Sequence, residues 1–249
     1  MARGKIVCFY GGKGGVGKTT TLLSLAGTLS KLNKKVLIVD LDLTNGAIAL
    51  SLNREVNKTI FNFVEDYTNN KYNDLDKYIT KYDENISFVA NPKDPRYASR
   101  IDLKYIDILL EKSVYNYDAV LIDTPSVLNE ISVYSLDKSD IVYLLTTNDC
   151  VSLKNIKNLV NLFIENNLDK YKIILNNSFI PNKDYFSNYD IKNIIGHNVD
   201  YVISSSFHVN NLDELVVNGE LITYKYSKFK DEKIFNLIAS EIIGGNKDE

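Results

Sequence analysis

The chain has 249 residues with a formal net charge of −3, 45% hydrophobic and 24% charged residues, and two cysteines. That length supports one large α/β domain, 1–249, with a proper core. The charge balance excludes a polycation, so any nucleic-acid contact must rest on a local patch. No apolar run reaches the roughly 18 residues of a membrane span and no signal-peptide pattern opens the sequence. Cys8 and Cys150 lack metal-ligand spacing and sit in apolar settings, which predicts reduced, buried thiols in a cytoplasmic protein.

Residues 5–10 are apolar and partly β-branched, as in a buried parallel strand. Leu22, Leu25, Ala26, Leu29 and Leu32 then recur at helical spacing. Between them, Gly12 to Thr19 fits the P-loop pattern of Gly, four residues, Gly-Lys-Thr, in the strand-loop-helix context that the motif requires. Glycine lets backbone N–H groups approach phosphate oxygens and permits positive φ. Gly12, Gly14, Gly15, Val16 and Gly17 thus form an anion nest at a helix N-terminus. Lys18 reaches for β- and γ-phosphates, the Thr19 hydroxyl for Mg²⁺, and Thr20 for the α-phosphate.

Lys13 is a second cation inside the loop, unnecessary for holding phosphate where Lys18 suffices. The stretch 13–20 resembles the deviant Walker A motif of the MinD/ParA family of ATPases. The resemblance implies ATP and Mg²⁺ as ligands and a nucleotide-sandwich homodimer. In it, Lys13 crosses to the phosphates of the other subunit, as an arginine finger does.

Residues 36–42 read as a second buried strand ending in Asp40 and Asp42, at the strand end where ligands of parallel sheets sit. One carboxylate is suited to hold Mg²⁺ through water and the other to face the attacking water. The plain alternative is an acid that caps the next segment. The resemblance assigns the water to Asp42. Residues 40–50 lack the Pro-Gln-Gly of partition ATPases and the Gly-Leu-Arg type run of the MinD group, and look more like the CpaE/TadZ branch, which serves pilus and secretion-system localisation.

Residues 58–83 read as short helices, with Tyr67, Tyr72 and Tyr78 as half-buried packing. Residues 86–90 are a third strand, and Arg96 and Arg100 lie in the loop after it. A helix over 103–110 leads to an apolar strand, 117–123, ending in Asp123. This Walker B pattern places an acceptor for a Mg²⁺-bound water near Thr19. Asp123-Thr124-Pro125 resembles the family's switch II. Further strands are expected at 140–146, 172–177 and 199–203, and helices at 151–163, 207–217 and 234–243. The resemblance assigns the adenine edge to Asn176, or to Asn177. His197 and His208 have no ligand cluster around them.

The sum is a doubly wound, mostly parallel sheet flanked by helices. The expected function is a slow, dimerising switch ATPase that positions a cargo, such as pilus or secretion machinery or a cell-pole component, with an activating or cargo protein as partner. A DNA-partition ATPase is the first alternative. It would rest on Lys225, Lys228, Lys230 and Lys233 with Tyr224, Tyr226 and Phe229, although Asp231 and Glu232 interrupt that run. A non-hydrolysing adaptor is the second. The polar end, 244–249, carries no basic amphipathic membrane anchor.

Overall fold

The computed structural model describes residues 3–178, 185–207, 211–226 and 231–244. Its strands are β1 (Lys5–Tyr10), β2 (Val36–Asp40), β3 (Thr80–Lys81), β4 (Ile86–Val89), β5 (Ala119–Asp123), β6 (Ile141–Thr146), β7 (Tyr171–Asn176) and β8 (Tyr201–Ile203). Its α-helices are α1 (Lys18–Lys31), α2 (Ile48–Ser51), α3 (Ile60–Thr68), α4 (Leu103–Ser113), α5 (Glu130–Lys138), α6 (Cys150–Glu165), α7 (Asn188–Ile195), α8 (Leu212–Asn218), α9 (Ile222–Lys225) and α10 (Glu232–Ile243).

The strands form one sheet in the order β3-β4-β2-β5-β1-β6-β7-β8. Only β3 runs antiparallel, against β4; all other pairs are parallel. Side chains alternate across the sheet because the strand period is two. Val7 and Phe9 join the core shared with Leu22, Leu25 and Leu29 of α1 and Phe235 and Ile238 of α10. Ile6 faces the opposite way, with Ile106 and Leu109 of α4, and Cys8 with Leu153 and Ile156 of α6. Both faces are covered, which explains why the central strands read as continuous apolar runs.

The structure departs from the sequence reading in several places. β2 ends at Asp40, two residues early, although the Leu41 N–H still donates to the Asp123 carbonyl at 2.9 Å. A short edge strand, β3, falls inside 58–83, where only helices were expected. Helices α5 and α7 were not anticipated. The expected helix over 207–217 begins at Leu212. Cys8 is buried, and burial holds its thiol well above the ordinary value, but Cys150 is exposed on the first turn of α6. Tyr67, Tyr72 and Tyr78 surround Phe63, with ring centroids 5.4–5.6 Å from it; Tyr67 and Tyr72 are half-buried as expected, whereas Tyr78 is fully buried.

Candidate nucleotide and metal site

The sheet order sets the site. β1 lies between β5 and β6, with β2 on the far side of β5. The parallel register pairs Phe9 with Asp123 and Asp40 with Asp123. The two buried carboxylates therefore end adjacent strands beside the chain that runs into the glycine loop.

In that loop Gly15 and Gly17 have φ of 79° and 90°, which L side chains rarely adopt. Gly17 precedes α1 without a side-chain cap, so the first N–H groups of α1 are left for a ligand. Asn155 of α6 donates to the Gly12 carbonyl at 2.6 Å, and Asn176 donates to the Val16 carbonyl at 2.9 Å. Thr124 donates to the Phe9 carbonyl at 2.6 Å, tying the segment after β5 to β1.

Thr19 Oγ1 donates to Asp123 Oδ2 at 2.7 Å. Asp123 Oδ1 is buried with no hydrogen-bond partner. Asp40 is fully buried, and its two oxygens accept from the N–H groups of Asp42 and Ile48, at 3.2 Å each. It thereby pins the loop that carries Asp42. The Asp42 bonds from the Asn45 N–H, 3.1 Å, and the Thr44 hydroxyl, 3.4 Å, both use Oδ1.

Burial pushes the Asp123 carboxyl up to about 6, with the Asp42 charge adding to it and Thr19 and Lys18 opposing. Burial and then the Asp123 charge push Asp40 well above the carboxylate range. Burial lowers Lys18, against the pull of Asp123 and Asp42. Three carboxylates thus share the field of one buried ammonium, so the site lacks positive charge. An unpartnered carboxylate oxygen beside a threonine hydroxyl is a hard-oxygen donor set that fits Mg²⁺. Among the described residues no group of three His, Cys, Asp or Glu forms a metal cage.

Lys13 Nζ pairs with Asp149 Oδ2 at 3.3 Å and stays 45% exposed. Asp149 also caps α6, accepting from the N–H groups of Val151 and Ser152 at 3.1 Å each. Burial raises its carboxyl, but bonds from Thr147, Ser152 and Lys13 outweigh this and hold it at about 2. Asn176 is buried, with its amide oxygen accepting from the Ser178 N–H and hydroxyl. Its amide is engaged with the P-loop, and the neighbouring Asn177 N–H bonds the Ile203 carbonyl.

Several side chains at this site escaped the sequence reading: Asp149, Asn155, and Ser126, whose hydroxyl accepts from Lys18 Nζ at 2.8 Å. The Asp149 cap preceding an apolar-periodic helix was a readable signal; nothing in the spacing pointed to Asn155. Arg96 is taken by Asp94, and the Arg100 guanidinium lies over the Phe61 ring, 4.9 Å from its centroid. Of the basic run considered for DNA, Lys225 pairs with Glu214 and Glu220 at 3.2 Å each. Lys228, Phe229 and Lys230 lie outside the described residues, as does His208. No described helix is long and apolar enough to cross a membrane.

Known proteins share this fold. The AAA domain family matches residues 4–180. A putative septum site-determining protein MinD from Emiliania huxleyi is 26% identical over 200 residues, 77% of this chain and 71% of its own length. Across the first four relatives, the shared stretch spans 55–71% of their lengths. A ParA family ATPase from Chlorobium tepidum TLS superposes with a TM-score of 0.82 at 19% identity, covering 94% of this chain and 98% of that one. MinD complexed with Mg-ADP from Pyrococcus horikoshii OT3 gives 0.78 at 22% identity, covering 96% and 95%. A P-loop, a mostly parallel sheet and paired strand-end carboxylates define the class, a P-loop nucleotide-binding protein. The chain belongs to the MinD/ParA family of ATPases within it.

Proposed function

We propose that the chain is a dimerising switch ATPase that hydrolyses ATP slowly and uses the cycle to position a cellular cargo. One observation carries the reading: Lys18, Thr19 and the unpartnered Asp123 Oδ1 converge at the mouth of the glycine loop. The loop N–H groups, Lys18 and Thr20 bind the phosphates. Thr19 and Asp123, with Asp40 behind them, hold Mg²⁺. When bound, the metal neutralises charge on the β- and γ-phosphates.

Asp42 accepts a hydrogen bond from the attacking water and aims its oxygen at the γ-phosphorus, in line with the departing ADP oxygen. Lys13 exchanges Asp149 for a phosphate of the nucleotide held by a second copy, which supplies the dimer contact. Its exposure and the modest strength of a surface ion pair support that exchange. Asn176, which also donates to the Val16 carbonyl of the P-loop, contacts the adenine edge, with Asn177 as the alternative. The cargo we propose is pilus or secretion machinery or another pole-localised assembly, on the likeness of residues 40–50 to the CpaE/TadZ branch, and the partner is an activating or cargo protein. The neutralised Lys225 weighs against the partition reading.

The test is light-scattering mass with Mg·ADP and with Mg·ATP, on wild type and Asp42→Ala. A dimer with ATP alone, persisting in Asp42→Ala, supports the switch. ATP binding by a permanent monomer supports the adaptor instead. Absence of any nucleotide-dependent shift in melting temperature rejects both.

A further inference from the structure

Asn176 ends β7 and is 3% exposed. Its amide meets groups of fixed polarity on both sides. Nδ2 donates to the Val16 carbonyl at 2.9 Å. Oδ1 accepts from the Ser178 N–H at 3.0 Å and from the Ser178 hydroxyl at 2.6 Å. A carbonyl cannot donate and a backbone N–H cannot accept, so these partners decide which end of the amide faces which way.

A side-chain amide has two N–H donors and one oxygen with two lone pairs. Ser178 takes both lone pairs and Val16 takes one N–H. One N–H is left for a ligand. Reading adenine with an amide takes a matched pair: the oxygen accepts from the 6-amino group while the nitrogen donates to a ring nitrogen. In Asn176 the oxygen is already filled. A single N–H donor finds an acceptor on adenine and on guanine alike, because both carry N7 and the 6-oxo group of guanine accepts as well.

The bond to Val16 has a second effect. The Val16 carbonyl and the Gly17 N–H belong to one planar trans peptide, so they point to opposite sides. Drawing the carbonyl to Asn176 thereby aims the N–H of Gly17, the residue before α1, on the far side. That N–H is one of those the glycine loop offers to phosphate.

We propose, resting on the ATP reading above and narrowing the part of Asn176 in it, that Asn176 is a positioning residue of the phosphate loop and leaves the 6-amino group of the base unread. It touches the base edge through one N–H. Through this residue the site takes 6-oxo purine nucleotides as readily as adenine nucleotides, and any preference for adenine originates in other residues.

The experiment measures binding of Mg·ADP, Mg·GDP and Mg·pyrophosphate, which has no base, to wild type, Asn176→Ala and Ser178→Ala by calorimetry. In Asn176→Ala all three should weaken by the same factor, about fivefold, the worth of one hydrogen bond, with the ratio of ADP to GDP affinity unchanged. In Ser178→Ala one lone pair of Oδ1 comes free, so ADP should gain several-fold over GDP with pyrophosphate binding unchanged. A ratio that falls in Asn176→Ala, pyrophosphate binding untouched by that change, or a Ser178→Ala ratio equal to that of wild type would overturn the proposal and leave the ATP reading intact. Wild type that binds neither nucleotide would overturn both.

Discussion

Lys13 and Asp149 join the glycine loop to the first turn of α6: one carboxylate both neutralises the loop lysine and caps the helix. In the dimer proposed above, this countercharge competes with phosphate for Lys13 and sets a threshold for its release. Asp149→Asn keeps a good cap, because asparagine accepts from the same N–H groups, and removes the charge. We expect ATP-dependent dimerisation several-fold tighter, with stability changed by less than about 1 kcal/mol since the pair is half exposed. Asp149→Ala should also lose the cap, on the order of 1 kcal/mol. Light scattering against protein concentration, with thermal melts, reads both.

Asp123 carries the cost of the metal site proposed above. Its carboxyl stands at about 6, against an ordinary value of 3.8. An acid whose pKa is raised by folding binds protons on folding, so its penalty is absent below the unfolded value, grows as pH rises towards the folded one and is constant above it. Relative to Asp123→Asn and without nucleotide, the wild type should lose stability between pH about 4 and about 6, on the order of 3 kcal/mol. Asp123→Asn should melt several degrees higher at pH 8, match wild type near pH 4, and lose stabilisation by Mg·ADP. Melting curves of both proteins across that range decide it; a gap between variant and wild type that narrows from pH 4 to 6 would contradict the sign.

Gly46 shows how tightly the Asp42 loop is seated. A Cβ there would stand 2.4 Å from Asp40 Oδ2 and 2.6 Å from Asn91 Cγ. Gly46→Ala must push the loop off Asp40 and break the bond from the Ile48 N–H. We expect a loss of about 1–3 kcal/mol, the usual cost of overpacking, and at least tenfold slower hydrolysis with phosphate binding through Lys18 retained. Phosphate release and ADP titration, measured together, separate the two effects.

Gly27 sits inside α1, where alanine would ordinarily stabilise by about 1 kcal/mol. Here its Cβ would meet Thr223 Oγ1 of α9 at 2.1 Å. Thr223 is buried and β-branched, so it has no room to turn away. Gly27→Ala should therefore destabilise, and adding Thr223→Ala should recover most of the loss, as a double-mutant cycle in the melting temperature would show.

That helix glycine illustrates where the sequence stops being readable. The central strands, the glycine loop, and Asp40 and Asp123 were legible because burial on both sheet faces writes itself as apolar runs and phosphate binding as a fixed spacing. Helix α5 was not, because its buried residues are Ser132, Ser135 and Leu136; two serines bonded back to carbonyls leave no apolar period. Helix α7 buries only Ile191 and Ile195. Cys150 looked like a core residue by its neighbours, but its place on the first turn of α6 turns it outward. The contacts of Asp149 with Lys13 and of Asn155 with Gly12 join residues well over a hundred positions apart. Local pattern carries no record of such meetings.

The strand order also has a consequence for how the chain comes to exist. Its phosphate loop, at 11–17, is made within the first moments of synthesis, but the strand that completes its proposed metal site is β5, placed beside β1 at 119–123. Until that stretch has left the ribosome, β1 and β2 have no strand between them, and the loop has no Asp123 to meet. Such distant pairing is slow to close. The capacity to take up nucleotide is thus a property of the half-made chain at the earliest, gained in one step when β5 inserts, and a fragment ending before residue 119 should be blind to ATP.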